Sequence, residues 1–175
     1  MLTDRLEISR VTADDKTDYF YNISNDKKVL ETFVCKYAES LDDYDFEPYL
    51  QMDNLFAIRL KETNKLIGII LHFGTAEEDA CEIGYGIGSK YWNQGYATEA
   101  VAAFIEYCFS TLNFKKIYAS YFTGNDASKN VMEKCGMKYD HFVEKEFEYL
   151  GKERDLTYYA IERRLNFVRT AELKG

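Results

Sequence analysis

Proline, long apolar runs and positive charge are all scarce in this sequence of 175 residues. The single proline excludes a proline-rich linker and a collagen-like chain. No apolar run approaches the roughly 20 residues that cross a bilayer, so no membrane-spanning helix is expected. The segment from Met1 to Arg10 carries acidic side chains and no apolar stretch, which argues against a secretory or transit signal.

Acidic residues outnumber basic ones, with 30 Asp and Glu against 22 Lys and Arg, and the net charge is −8 at pH 7. A field of this sign opposes binding to nucleic acid and to anionic membranes, while it tolerates a cationic substrate. We therefore expect neither nucleic acid nor a membrane as a partner. The same charge also has a simpler interpretation, which is solubility alone.

The spacing of metal ligands is also missing from the sequence. No C-x-x-C pair occurs, and neither histidine lies near a cysteine, so no metal site is predicted. Without a secretory signal, reduced thiols in a cytoplasmic protein are expected rather than disulfides. The cysteines concerned are Cys35, Cys81, Cys108 and Cys135.

Hydrophobic residues make up 46% of the chain and aromatic residues 16%, which is enough to build a core. The length and the absence of a linker predict one domain over residues 1–165, followed by a C-terminal tail over residues 166–175. Apolar periodicity predicts alternating strands and helices, and so a mixed α/β fold. Strands are expected near 5–10, 55–60, 66–73, 81–87, 116–121, 138–149 and 155–163, and helices near 12–23, 26–33, 48–52, 97–112 and 126–135.

A glycine-containing turn precedes the most periodic helix. Gly95 stands immediately before this helix, where free backbone N–H groups and the helix dipole favour an anion, and a glycine lets a phosphate approach the backbone. Many strand–helix junctions carry one glycine for steric reasons only, so the turn by itself leaves both interpretations open. Gly84 and Gly86, inside the preceding strand, predict a bulge or a close backbone approach by a ligand.

The segment Trp92-Asn93-Gln94-Gly95-Tyr96-Ala97 resembles motif A of the GNAT acetyltransferases, [QR]-x-x-G-x-[GA]. Trp92 replaces the Gln or Arg, as it often does in the Rim-type branch, which is named after ribosomal-protein N-terminal acetyltransferases. Further segments resemble the family in the expected order along nearly the whole chain. These segments are Asp4–Arg10, Glu82–Tyr85, Asn125–Met137 and Arg154-Asp155 with Tyr158.

The resemblance implies an N-acetyltransferase with the GNAT fold, in which helices flank a mixed, mostly antiparallel sheet that is splayed in the middle. It implies acetyl-CoA as cosubstrate, with its pyrophosphate on the backbone amides of motif A and its pantetheine arm between the 81–87 and 116–121 strands. The cofactor-binding residues implied in this way are Ile87, Gln94, Gly95, Tyr96, Ala97, Thr98, Asn125 and Ser128.

For catalysis, the resemblance implies direct transfer of the acetyl group to an amine. Glu82 is the candidate base, and its alternative is a solvated carboxylate at a strand edge. Many family members place a Tyr acid on the last helix, but Met132 occupies that position here. Ser128 is the remaining candidate near the sulfur, and its alternative is a helix-start serine that bonds the backbone.

The acceptor is expected to be a primary amine, either a protein N-terminal α-amine or a small molecule, and the resemblance also allows a homodimer. Acceptor loops vary most in such folds. His72 is a weak candidate for the acceptor pocket, and its alternative is a partly buried edge residue. The contrasting hypothesis for the whole chain is a non-catalytic module that binds or senses acyl-CoA.

Overall fold

The computed structural model describes residues 1–163 and contains one seven-stranded sheet in the order β1-β2-β3-β4-β5-β7-β6. Neighbouring strands are antiparallel except for β4 and β5, which are parallel. This confirms the mixed α/β fold and each predicted strand, although β7 begins earlier than expected. The strands are β1 Leu6–Arg10, β2 Leu55–Leu60, β3 Leu66–Gly74, β4 Ala80–Ile87, β5 Lys116–Phe122, β6 Lys138–Tyr149 and β7 Lys152–Glu162.

Five α-helices pack on the sheet, and the predicted first helix is composite. It begins with a 3₁₀ turn at Ala13–Asp15, continues as an α-helical turn at Lys16–Tyr19 and ends with a π-type turn at Phe20–Ser24. No helix in the described part of the chain is long and apolar enough to span a membrane. The predicted tail at 166–175 and the domain boundary at 165 lie outside the described residues. The α-helices are α1 Lys16–Tyr19, α2 Lys27–Thr32, α3 Glu47–Leu50, α4 Tyr96–Ser110 and α5 Asp126–Lys134.

Two apolar cores lie on opposite faces of the sheet. Helices α4 and α5 cover one face, where the apolar stripe of α4 is buried, as its periodicity predicts. Phe104 on this stripe is fully buried, which contributes roughly 2–3 kcal/mol relative to an exposed side chain. The segments around α1, α2 and α3 cover the other face with a cluster rich in aromatic rings, among them Tyr19, Phe20, Tyr44 and Phe46.

The sheet opens between its two parallel strands. Strands β4 and β5 pair only through Ala80–Lys116, Cys81–Ile117 and Glu82–Tyr118. Beyond Glu82, β4 continues along β3 as far as Ile87, while β5 continues along β7 as far as Phe122. The predicted splay is thus present, and it leaves one edge of β4 and one edge of β5 without a strand partner.

The bulge expected at Gly84 and Gly86 is wrong for the β3–β4 ladder, whose register is unbroken from Gly68–Ile87 to Gly74–Cys81. The two glycines instead make room for an aromatic side chain. A Cβ atom on Gly86 would lie 3.2 Å from the Phe33 ring, and one on Gly84 would lie 3.7 Å from it. Phe33, the residue that follows α2, therefore packs closely against the backbone of β4 at these two glycines.

A buried ion pair joins the first helical turn to the sheet. Asp15 closes a capping box by accepting a hydrogen bond from the backbone N–H of Thr12, at 2.7 Å. The same carboxylate accepts from both Nε and Nη2 of Arg59 on β2. Arg59 also donates to Ser9 Oγ at 2.7 Å and to the carbonyl of Arg10 at 3.1 Å, so each of its three nitrogens has a partner. Burial on this scale is tolerable because the paired charges are also hydrogen-bonded.

We predict that Asp15→Asn lowers the free energy of unfolding by about 3 kcal/mol, because the Arg59 charge stays buried without its counter-charge. Urea unfolding followed by circular dichroism measures the change. Asp79→Asn is the matched control, since Asp79 pairs with Lys115 on the surface and its loss costs about 0.5 kcal/mol. Equal changes in the two variants would contradict the structural importance of the buried pair.

Candidate active site

A cleft of about 400 Å³ lies where the sheet opens, between β4, the start of α4 and the start of α5. It brings together most of the residues predicted to bind the cofactor. A larger cavity of about 800 Å³ lies between α4 and the β6–β7 pair, but the predicted site residues do not border it. The predicted residues that line the cleft are Ile87, Gly95, Tyr96, Ala97, Thr98, Asn125 and Ser128.

The start of α4 has the features of an anion site. Gly95 is the N-cap residue with φ of +81°, a conformation that other L-residues adopt only with strain. No side chain caps this helix, so the first N–H groups, of Tyr96, Ala97 and Thr98, are left for a ligand. Gln94 does not line the cleft. The side-chain amide of Gln94 donates to the backbone carbonyl of Lys90 at 3.3 Å, and the backbone carbonyl of Gln94 accepts a hydrogen bond from Arg5.

Arg5 on the N-terminal side of β1 fastens this turn. Its Nη1 donates to the Gln94 carbonyl at 2.9 Å, its Nε donates to Glu99 Oε2 at 2.7 Å, and its guanidinium lies 4.3 Å from the Tyr96 ring centroid. Glu99 also accepts from Thr3 Oγ1 at 2.5 Å and from the Arg5 N–H at 2.8 Å. Burial alone would raise the pKa of Glu99, but these donors lower it below the usual range. The carboxylate in the first turn of α4 is thus neutralised locally.

The free edge of β4 runs from Ile83 to Ile87, with its other edge held by β3. Alternate N–H and C=O groups on such an edge are available to an extended ligand, which can add to the sheet as a further strand does. One of them, the carbonyl of Ile87, accepts from the Trp92 indole at 2.7 Å. The pantetheine arm of CoA is an extended chain with amides, so this edge fits it.

Ser128 lies on the cleft side of β4, opposite Tyr85. Its Oγ is 2.8 Å from the Tyr85 hydroxyl, which also lies 3.1 Å from the Ser128 carbonyl. The Ser128 N–H donates to Asn125 Oδ1 at 3.3 Å, so Asn125 caps α5. Burial raises the pKa of Tyr85, so this phenol stays protonated at neutral pH. Sequence reasoning missed Tyr85, although its place two residues from Ile87 on the same strand face was a usable signal.

Glu82 lies on the other face of β4, because successive side chains of a strand alternate between faces. Its Oε1 accepts a hydrogen bond from Ser120 Oγ at 2.7 Å. Burial raises the pKa of Glu82, the Ser120 hydroxyl opposes that shift, and the negative charge of Glu146 adds to it. A half-buried carboxylate with one donor and a raised pKa is suited to accept a proton near neutral pH. The two candidate catalytic residues, Glu82 and Ser128, therefore face opposite sides of the same strand.

Tyr158 and His141 lie on the Glu82 side of the sheet. Their rings stack with centroids 4.3 Å apart, and burial raises the pKa of Tyr158 to about 12. His72, in contrast, packs near the Phe104 and Phe114 rings at the α4 face, and burial lowers its pKa. The structure therefore bears out the partial burial of His72 but places it on the interior strand β3, paired with Ile83, and not at an edge of the sheet.

Met132 is fully buried in the core under α4 and α5. Its thioether cannot donate a proton, so this position supplies no acid. The described residues also hold no cluster of metal ligands.

A sheet that opens between two parallel strands, beside a helix with free N–H groups, fits a ligand with an anionic group and an extended amide-containing arm, as an acyl-CoA has. Residues 5–138 match the family described as "Acetyltransferase (GNAT) domain". The chain belongs to this family, and it is an acetyltransferase.

Relatives agree with this assignment. The chain is 28% identical over 172 residues to the uncharacterized N-acetyltransferase YoaA of Bacillus subtilis, with 91% of this chain and 94% of the relative covered. A solved GNAT-family acetyltransferase from Bacillus anthracis superposes with a TM-score of 0.81 at 27% identity, covering 93% of this chain and 97% of that one. The ribosomal-protein-S5-alanine acetyltransferase from Vibrio fischeri shares the fold, with a TM-score of 0.78 at 18% identity and coverage of 93% and 95%.

We predict that Gly95→Glu weakens CoA binding by at least roughly tenfold, because the side chain fills the anion site and adds a negative charge there. Isothermal titration calorimetry with CoA measures the affinity. Gly151→Glu is the matched control, since Gly151 also has positive φ, at +68°, but lies at the β6–β7 turn with open space around it. If both variants bind CoA as the wild type does, the anion site is not at Gly95.

Proposed function

We propose that the protein transfers an acetyl group from acetyl-CoA directly to a primary amine while both are bound. The observation that carries this proposal is the arrangement at the opening of the sheet. Ser128 and Tyr85, which border the cleft, lie on one face of β4, and Glu82 lies on the other. Donor and acceptor can then enter from opposite faces and meet at the free edge, with no covalent enzyme intermediate.

The proposed chemistry uses Glu82 as the general base. A primary amine is protonated at neutral pH, so it must lose a proton before its nitrogen attacks the thioester carbonyl. Glu82 accepts that proton, directly or through water. A C–N bond forms and the carbonyl oxygen becomes anionic. The C–S bond then breaks to release CoA as a thiolate, and the nitrogen loses its second proton to solvent, which leaves a neutral amide. A backbone N–H on the free edge between Tyr85 and Ile87 stabilises the oxyanion.

The leaving thiolate receives its proton without a tyrosine at the usual helix position, because Met132 stands there. A thiol with a pKa near 8.5 leaves readily, so an acid is of secondary importance. The hydroxyl pair of Ser128 and Tyr85 borders the cleft and is the proton source that we propose near the sulfur. The buried Met132 is also the observation that favours the alternative function, a module that binds acyl-CoA without turnover.

The finer assignments rest on the motifs. We propose the Rim-type branch, from Trp92 in motif A, and an acceptor that is a protein N-terminal α-amine or a small amine. We also propose that residues 1–165 form a single domain, that the protein is cytoplasmic and that it forms a homodimer. The four cysteines are free thiols in the structure, which supports a reducing compartment.

The enzymatic proposal predicts an acetylated product when the protein, acetyl-CoA and a panel of amines are incubated together. The panel contains peptides with free N-termini and small diamines, and mass spectrometry detects a gain of one acetyl group per molecule. The Gly95→Glu variant serves as the inactive control. Tight acetyl-CoA binding with no product across the panel would favour the binding module instead.

A pH profile tests the role of Glu82. Because the carboxylate is the reactive form and its pKa is raised, kcat/KM is expected to rise with pH through that pKa and then level off. Glu82→Gln should remove this acidic limb and lower kcat by roughly 100-fold. Glu146→Gln is the control, because it keeps the base and should move the limb to lower pH. An acidic limb that persists unchanged in Glu82→Gln would exclude Glu82 as the base.

A further inference from the structure

We propose that Arg154 binds a carboxylate of the acceptor, so that the preferred substrate is an amine that also carries an acidic group. This inference rests on the proposed function, because it concerns the acceptor of the same reaction. It adds a specificity-determining residue that is separate from the Glu82 base and from the cofactor cleft.

Arg154 shares a face of the sheet with Glu82. Ser120, which bonds Glu82, pairs with Tyr158 on β7, and Phe122 pairs with Leu156. Side chains two residues apart on a strand point to the same face, so Tyr158, Leu156 and Arg154 form one row there. The row leads from the candidate base toward the end of β5, where the sheet is open.

The guanidinium of Arg154 is held in place by aromatic rings. Its Cζ lies 5.0 Å from the Phe122 centroid and 5.9 Å from the Tyr149 centroid, and Nε donates to the Tyr149 carbonyl at 3.4 Å. Tyr149 is anchored in turn, because its hydroxyl donates to the Phe33 carbonyl at 3.2 Å. A side chain fixed in this way loses little conformational entropy when it binds a ligand.

The two terminal nitrogens of Arg154 have no acceptor among residues 1–163 in the structure, because its hydrogen bond to protein uses Nε alone. Arg154 borders a cavity of about 570 Å³ that shares Thr32 and Asn125 with the cofactor cleft. Lys152 adds a second positive charge to the cavity wall, and Glu31 provides one negative charge. A positive cavity in a chain of net charge −8 is unusual, and two parallel N–H donors match a carboxylate.

The spacing limits the class of acceptor. Ser120 and Phe122 are two residues apart, and Tyr158 and Arg154 are four apart, which corresponds to roughly 7 and 13 Å along a strand. The Arg154 guanidinium lies over the Phe122 ring, so an amine at Glu82 and an acid at Arg154 are separated by roughly 7–13 Å. A free α-amino acid is too short. An ω-amino acid of about six carbons, or a peptide with an acidic side chain near its N-terminus, spans this distance.

The experiment compares matched ligands that differ in the acid alone. The first pair is 6-aminohexanoate and its amide, and the second is the C-terminally amidated peptides Ala-Ala-Glu-Ala and Ala-Ala-Gln-Ala. Binding to the CoA-saturated protein is measured by NMR chemical-shift titration, and kcat and KM are measured with acetyl-CoA. The two pairs distinguish a small acid from an acidic peptide as the source of the carboxylate.

For the wild type we expect at least one acid to bind roughly tenfold more tightly than its amide. Arg154→Gln should remove this preference by raising KM for the acid roughly tenfold, with kcat within about twofold. Arg154→Lys should restore part of it, because the charge returns without the paired donors. Glu31→Gln should strengthen acid binding by about twofold, an opposite change that a folding defect cannot imitate.

Lys145→Gln is the matched control, because Lys145 lies on the same hairpin but pairs with Glu153 at 3.0 Å. It should leave both ligand pairs unaffected. Equal binding of acid and amide in the wild type, or an acid preference that survives Arg154→Gln, overturns the inference. Acid-selective binding without any acetylated product would leave the inference standing and refute the proposed function.

Discussion

The separation of β4 from β5 is the constraint on which the site depends. Three residue pairs hold the two parallel strands together at one end, and each strand then follows its antiparallel neighbour. An unpaired strand edge inside a sheet normally costs hydrogen bonds. That cost is tolerable here because a ligand can supply the missing partners. Ligand binding and the completion of the sheet's hydrogen bonds are thereby linked at the opening between β4 and β5.

Contacts distant in sequence keep this opening in shape. On the cofactor side, Arg5 near the N-terminus holds the turn before α4 and neutralises Glu99. On the face of the sheet that carries Glu82, Tyr149 at the end of β6 bonds the chain just after α2. Both faces of the cleft are thus preorganised by segments from the ends of the chain, which lowers the entropy lost when a ligand binds.

The sequence predicted the features that local patterns determine. The apolar stripe of α4 and the glycine turn before it are both present, and so is the splay between β4 and β5, which the family resemblance implied. Features that depend on long-range packing were missed. The closeness of Phe33 to Gly86 needs the path of the chain after α2. At the register shift in β6, residues 144–146 stand between the Val143–Leu156 and Phe147–Arg154 pairs, and no local signal reveals this.

The position of Glu82 relative to Tyr85 has a consequence for how such a chain can vary. The two residues are three positions apart on β4, an odd number, and this alone places them on opposite faces. One inserted or deleted residue between them would bring both to the same face and merge the donor and acceptor compartments. A substitution in this strand changes the affinity for a ligand gradually, whereas an insertion or deletion would remove the separation of Glu82 and Tyr85 onto two faces. Alignments of related sequences should therefore show no gap between these two positions.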